Sequence, residues 1–392
     1  MKTPERKALA ALFFLYAVGI VSWVPRFPEV KQNLHVSNGE FGTLLSLGAV
    51  GSLVSLLAAG HLAHRFGSRK AMIVSSVVLF SSVALIVHTT QAWQFLICIT
   101  LMGAATSAFH IAVNGQAFYE QEPTGENLIP RLHGYWSAGA LASAILSGLL
   151  TGKVGLVAHV DTVSVIVFLL VLYFLRKMGG TLMPGVHDPS SKSSIRQVFT
   201  RFEIDWKITL AICSGSLLEF GIGDWGAIFS KEELHTSARN AALPYILLSI
   251  AMIVGRLNLH RLTDRFAIDV LMKRSVFIGG VSFMALTTAG KALSHTSPTL
   301  GLVLFCVGVF IAGLGESFLA PVLLNAANRR SKSPGSVVLG RIGVINTILT
   351  FFCKTIIAWI AQLTSISFAL MLPALALMAV VFAARAVKEA NA

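Results

Sequence analysis

Residues 60–70 read Gly60-His-Leu-Ala-His64-Arg65-Phe-Gly67-Ser-Arg69-Lys70 and stand between two long apolar runs. The stretch returns as His260-Arg-Leu-Thr-Asp264-Arg265-Phe-Ala267. Position 64 aligns with position 264, an offset of 200 residues in a chain of 392. A basic turn between apolar helices, repeated half a chain apart, describes two similar halves in a membrane.

Composition points the same way. Hydrophobic residues make up 55% of the chain and charged residues 12%, where soluble domains carry about 25% charged. Mean hydropathy is +0.74. The net charge of +13 does not mark a nucleic-acid partner, because Lys and Arg fall in alternate loops instead of one basic domain. That is the positive-inside pattern. It puts Arg65, Arg69, Lys70, Arg131, Arg176, Arg265, Arg329 and Arg330 on the cytoplasmic side of a cell (inner) membrane, with both termini inside. The four cysteines, Cys98, Cys213, Cys306 and Cys353, each lie in an apolar run without metal-ligand spacing. No metal and no cofactor are expected.

A bilayer takes about 20 apolar residues per helix. The candidate spans are 8–24, 41–63, 71–87, 93–118, 135–150 and 160–175, then 208–229, 241–254, 276–289, 300–327, 337–360 and 366–384. The predicted fold class is an all-α integral membrane protein of twelve transmembrane helices in two pseudo-symmetric six-helix bundles. The domains are 1–176 and 206–392, joined by a cytoplasmic linker over 177–205. Apolar residues at 195, 198, 199 and 202 predict a short amphipathic helix on the membrane surface within that linker. Small residues at Gly51, Ser55 and Ala59, and at Gly139, Ser143 and Ser147, form stripes that let helices approach closely.

An ionisable group in mid-span costs several kcal/mol and faces a cavity or a partner. Glu219 and Asp224 lie in span 7, Glu316 in span 10, and Arg341 and Lys354 in span 11. His110 and Asn114 lie four apart in span 4, on one helix face. Glu219 reads either as a proton or substrate site or as a neutral carboxyl bonded inside the bundle. Glu316 reads the same way. His110 reads as a proton-linked group or a packing residue. Asn114, Gln116, Asn325 and Asn346 are neutral contacts for a polar solute or structural amides. Tyr16 and Trp225 stack on a solute ring or sit at the membrane interface. Glu219 and Asp224 are about 140° apart on a regular helix, and Gly221, Gly223 and Gly226 are expected to bend or unwind it so that both face inward.

The 60–70 stretch resembles the loop between helices 2 and 3 of the major facilitator superfamily, Gly-x-Leu-x-Asp-Arg-Phe-Gly-x-Arg-Lys. Gly60, Leu62, Arg65, Phe66, Gly67, Arg69 and Lys70 match it. The family Asp is replaced by His64, which puts the first latch in doubt. Asp264 and Arg265 keep the second copy. The resemblance implies that these residues latch one conformation and that spans 1, 4, 7 and 10 line a central path. Spans 1 and 7 face each other in that fold, so Arg26 and Asp224 are the expected outer gate. Ser22-Trp23-x-x-Arg26-x-Pro28, His133-Gly134-Tyr135-Trp136-Ser137-x-Gly139 and Glu219-x4-Asp224-Trp225 resemble the MosC/YbjJ-type branch of that superfamily. The branch implies sugar, polyol or amino-sugar-like solutes.

The expected function is a secondary transporter of a small polar solute by alternating access, driven by protons, monomeric, in contact with lipid and with no nucleic acid. Glu219 is the expected coupling residue. One alternative is a proton-driven drug or metabolite exporter, against which the absence of a Gly-Pro pair in span 5 argues. Another is a non-transporting receptor on the same fold. No nucleophile–base pair or metal-ligand set suggests an enzyme.

Overall fold

The structure is a computed structural model that describes residues 3–121, 128–179, 182–184, 204–331 and 335–391. The side chains of 57–64, 130, 335–337 and 339 are outside that description, as is the expected surface helix over 195–202.

Among the described residues twelve membrane helices follow one another, in keeping with the predicted class. In the first half they are α1 (Pro4–Val21), α2 (Asn38–Phe66), α3 (Ser68–Ile86), α4 (Ala92–Gln121), α5 (Ile129–Leu150) and α6 (Leu156–Met178). The second half has α7 (Trp206–Glu232), α8 (Leu243–Thr263), α9 (Ile268–Ser294), α10 (Pro298–Glu316, continued as Leu319–Arg330), α11 (Gly335–Leu363) and α12. The last is broken into Ile366–Ala369, Met371–Ala379 and Ala384–Asn391. Among the described residues, 10 segments are long and apolar enough to cross a bilayer on composition alone; α5 and α7 complete the set.

Local chemistry sets the ends. Thr3 caps α1 through Arg6 N, with Pro4 in the first turn, where its missing N–H costs nothing. Asp205 caps α7 through Ile208 N, and Ser297 caps α10 ahead of Pro298. Gly67, at φ 84°, joins α2 to α3 in a conformation that favours glycine.

Lipid contact and helix contact divide the apolar residues. Leu257, Val54 and Phe382 are exposed, Phe382 by 83%. Such residues are stable only against hydrocarbon. Interior faces use small residues. A Cβ on Gly51 would run into the Thr100 carbonyl, and one on Gly139 into that of Phe14. Ser143 Oγ donates to Val18 O at 2.8 Å. Both expected small-residue stripes therefore carry a helix contact, α2 on α4 and α1 on α5.

The chain packs as two compact units. The first is Met1–Val36 with Leu47–Ile195; the second is Ser37–Ser46 with Arg196–Ala392. The opening turns of α2 thus pack with the second unit. Gly42 lies against Ala358 and Trp225. Trp359 Nε1 donates to Thr43 Oγ1 at 3.2 Å, and Asn38 N to Gln362 Oε1 at 3.0 Å.

Candidate functional site

The site in the second unit begins with a proline. Pro321 has no N–H, so the carbonyl four residues earlier, on Ser317, loses its helical partner. Helix α10 breaks there, between Glu316 and Leu319. The freed Ser317 carbonyl accepts from Arg256 Nε at 3.0 Å. Gly255 makes this approach possible, since a Cβ there would collide with the Ser317 side chain. Arg256 is thereby held on α8 beside the α10 break.

Glu316 is the last residue before the break. It is 4% exposed, and its Oε2 is buried with no hydrogen-bond partner among the described residues. The charges acting on it are those of Glu219 and Arg256. Arg256 acts on Glu219 as well, and Tyr245 lies within electrostatic reach of Glu219 and Asp224. Glu219 of α7 and the exposed Arg256 of α8 therefore both lie within electrostatic reach of the Glu316 carboxyl on α10.

Helix α7 runs unbroken from Trp206 to Glu232. The expected unwinding is corrected: its glycines seat neighbours. Gly221 faces Pro373 and Leu370, Gly223 faces Tyr245, and Gly226 faces Pro244. An intact helix keeps Glu219 and Asp224 well apart in direction, and they serve different partners. Asp224 pairs with Lys354 Nζ at 2.7 Å, both largely buried. That ammonium also lies 5.5 Å from the Phe220 ring centre. On α11, Asn346, Thr350 and Lys354 are four apart and share a face. Asn346 Oδ1 and Thr350 Oγ1 are buried without a partner among the described residues. Asn325 is exposed on the second part of α10.

In the first unit, His110 and Asn114 on α4 meet His133 on α5. Asn114 Oδ1 lies 3.3 Å from His133 Nε2, and its amide donates to His110 O at 2.8 Å. The two imidazole rings are 6.0 Å apart. Tyr16, by contrast, is 3% exposed, stacks on Phe109 and donates to Thr106 O at 2.8 Å. Trp225 is 2% exposed against Gly42. Both rings are buried among protein side chains. Gln116 is fully buried and structural: its Oε1 accepts from Ser68 Oγ and Met183 N.

Arg26 and Asp224, the expected outer gate, each have a partner within their own unit. Arg26 is 1% exposed and forms a two-pronged pair with Glu29, three residues on. Its remaining donors reach His159 Nδ1 at 3.2 Å and Val154 O at 3.1 Å. Arg26 thus ties the end of α1 to the start of α6, and Asp224 is held by Lys354.

Of the latch residues, Gly60 falls where side chains are not described. Arg65 and Arg69 are exposed, Arg65 lying over the Phe66 ring, and Asp264 and Arg265 are exposed at the end of α8. Gly67 forms the φ-positive turn described above.

Apolar helices that bury opposed charges define an integral membrane protein with a polar interior. The chain belongs to the Major Facilitator Superfamily, whose family model matches residues 9–353. It is 27% identical over 384 residues to an uncharacterized MFS-type transporter of Yersinia pestis, covering 96% of this chain and 94% of that one. Membrane protein MosC of Rhizobium meliloti is 26% identical over 335 residues, 84% of this chain and 77% of that one. The relatives agree with a MosC-like branch. Among solved structures, the nucleoside transporter NupG superposes with a TM-score of 0.73 at 14% identity, covering 99% of this chain and 99% of that one. At that identity the likeness is one of fold.

Proposed function

We infer that the protein is a proton-coupled secondary transporter of a small polar solute, of sugar, polyol or amino-sugar type, working by alternating access. The single observation that carries the reading is the Glu316 carboxyl, 4% exposed inside an apolar helical unit, with its Oε2 unpartnered among the described residues. Charge in such a place is costly and serves as a structural pair or as a site for an ion or solute. The spare oxygen of Glu316 favours the second use. Asn346 and Thr350 on α11, buried without a partner among the described residues, offer hydrogen bonds of the kind that a hydroxylated solute requires. Bundles over 1–176 and 206–392, joined by a cytoplasmic linker over 177–205, act as a monomer in the inner membrane with both termini inside. Arg65, Arg69, Asp264 and Arg265 latch one conformation from the cytoplasmic loops.

The test has two stages. A thermal-shift screen of polyols, amino sugars and nucleosides identifies a ligand, because a molecule that binds only the folded state raises the melting temperature. Uptake of that ligand into proteoliposomes is then measured with pH gradients of either sign. Accumulation that reverses with the gradient supports the reading; uptake indifferent to pH removes the proton, and binding with no flux removes the carrier.

A further inference from the structure

We propose that the cleft between the start of α7, the end of α10 and the start of α11 binds a phosphate ester, held by Lys207 and Arg341. The inference goes beyond the transport reading and does not depend on which solute is carried or on what drives it.

The cleft has a volume of about 590 Å³, inside the range of about 300–1,000 Å³ that small-molecule sites occupy. Among its described lining residues are three cations, Lys207, Arg330 and Arg341, and one carboxylate, Asp205. That carboxylate is already spent. Its Oδ1 accepts from Ile208 N at 3.3 Å and caps α7, and its Oδ2 accepts from Arg330 Nε at 2.6 Å. Arg330 Nη1 also reaches Glu389 of the last helix at 3.3 Å, and Glu389 accepts from Arg385 at 3.0 Å. The charge of Arg330 is therefore answered within the wall. Lys207 and Arg341 make up the positive excess that the cleft presents.

The two cations differ in setting. Lys207 is exposed, and its charge costs little in water. Arg341 is 6% exposed. Basic loops that only obey the charge rule for membranes keep their cations solvated, as Arg65, Arg69 and Arg329 are. A guanidinium taken that far out of water is stable only where anions or acceptors surround it, and the space it borders is the cleft. A planar fork and an ammonium facing one cavity suit an anion with several acceptor oxygens and more than one charge. Phosphate is that anion, since Arg meets two of its oxygens with parallel N–H donors. Ile204, Val338 and Ile342 make the rest of the wall apolar, so the ligand carries an organic body that a bare ion lacks. Trp206, also on the cleft, is 55% exposed, as suits a ring at the level where bilayer meets water. A basic pocket between helices at that level takes a phospholipid headgroup; the same groups take a soluble phosphate ester. The chemistry shared by the two sources is the phosphate.

Trp206 reports on the cleft directly. Sodium phosphate, glycerol 3-phosphate, phosphatidylglycerol and phosphatidylcholine are each titrated into the full-length protein in detergent micelles. The signal is the part of the tryptophan fluorescence change that disappears in Trp206→Phe. Saturation by glycerol 3-phosphate assigns a soluble ester. Saturation by phosphatidylglycerol, without a response to glycerol 3-phosphate or phosphatidylcholine, assigns a lipid headgroup. In either case Lys207→Gln and Arg341→Gln should each weaken binding about tenfold, the loss of one charge-assisted hydrogen bond, and added salt should weaken it further. Arg341→Lys keeps the charge and loses the fork, so it should recover only part of the affinity. If Arg341→Gln fails to elute as a folded monodisperse species, Lys207→Gln decides, because that side chain is exposed. The absence of a saturable signal with every probe overturns the proposal, as does a response that Lys207→Gln leaves unchanged. Phosphatidylcholine binding as tightly as phosphatidylglycerol, or inorganic phosphate as tightly as its ester, overturns it as well. Flux is scored in separate experiments, so a failed carrier reading leaves this site standing and a failed site leaves the carrier reading standing.

Discussion

At the scale of the residue, two pairs carry distinct work. Arg26 is buried and two-pronged on Glu29, so Arg26→Gln leaves that carboxylate and His159 without their donor. Breaking a buried pair from one side costs about 3–5 kcal/mol, and the melting temperature of the detergent-solubilised protein should fall by several degrees. Exchanging the charges of Arg26 and Asp224 together should rescue nothing, because each finds its partner within its own unit. For Asp224 and Lys354 the opposite holds. Either Asp224→Asn or Lys354→Gln strands a charge; the double variant strands none and should be less damaging than either single one, measured by the same melt. The glutamates were legible because a carboxylate in an apolar run stands out. Arg256 was not, since the predicted span 241–254 stopped short of it. The partner of Arg26 was missed for a related reason. A carboxylate three residues away competes over a far shorter distance than one in another helix, and only the turn after α1, Val24–Arg26 leading into Phe27–Leu34, brings Glu29 around to it.

At the scale of the element, α10 is the informative helix. Pro321→Ala returns an N–H to the backbone and lets the Ser317 carbonyl rejoin the helix. A straightened α10 releases Arg256 from its anchor. The expected outcome is a melting temperature equal to or above that of the wild type, with pH-driven transport reduced about tenfold, or about 1.4 kcal/mol. Stability and activity moving together would contradict this role for the break. The proline was visible in the sequence within span 300–327, and its consequence was not, because the carbonyl it frees acquires meaning only with α8 alongside. Helix α7 teaches the reverse lesson. Three glycines near Glu219 suggest unwinding, yet in a packed bundle glycine also admits a neighbour, and Tyr245, Pro244 and Pro373 occupy those places.

At the scale of the whole molecule, hydropathy and loop charge made the twelve-helix class legible from a single reading. Membrane helices are specified by length and apolarity, which need no partner to be recognised. Side-chain partnerships need the third dimension, which is why the burial of Tyr16 against Phe109 and of Trp225 against Gly42 was not legible. The basic loops also make a topological prediction. A tag fused after Ala392 should be reached by a membrane-impermeant label only in permeabilised cells; labelling of intact cells would invert the assigned orientation.

The central claim is that buried carboxylates in the second unit turn a proton gradient into solute movement. The most direct measurement compares accumulation with exchange in proteoliposomes carrying Glu316→Gln, using the ligand found by thermal shift. The account predicts that pH-driven accumulation is lost, while solute-for-solute counterflow, which needs no net proton movement, continues near the wild-type rate. Accumulation at wild-type level and still driven by pH would contradict it.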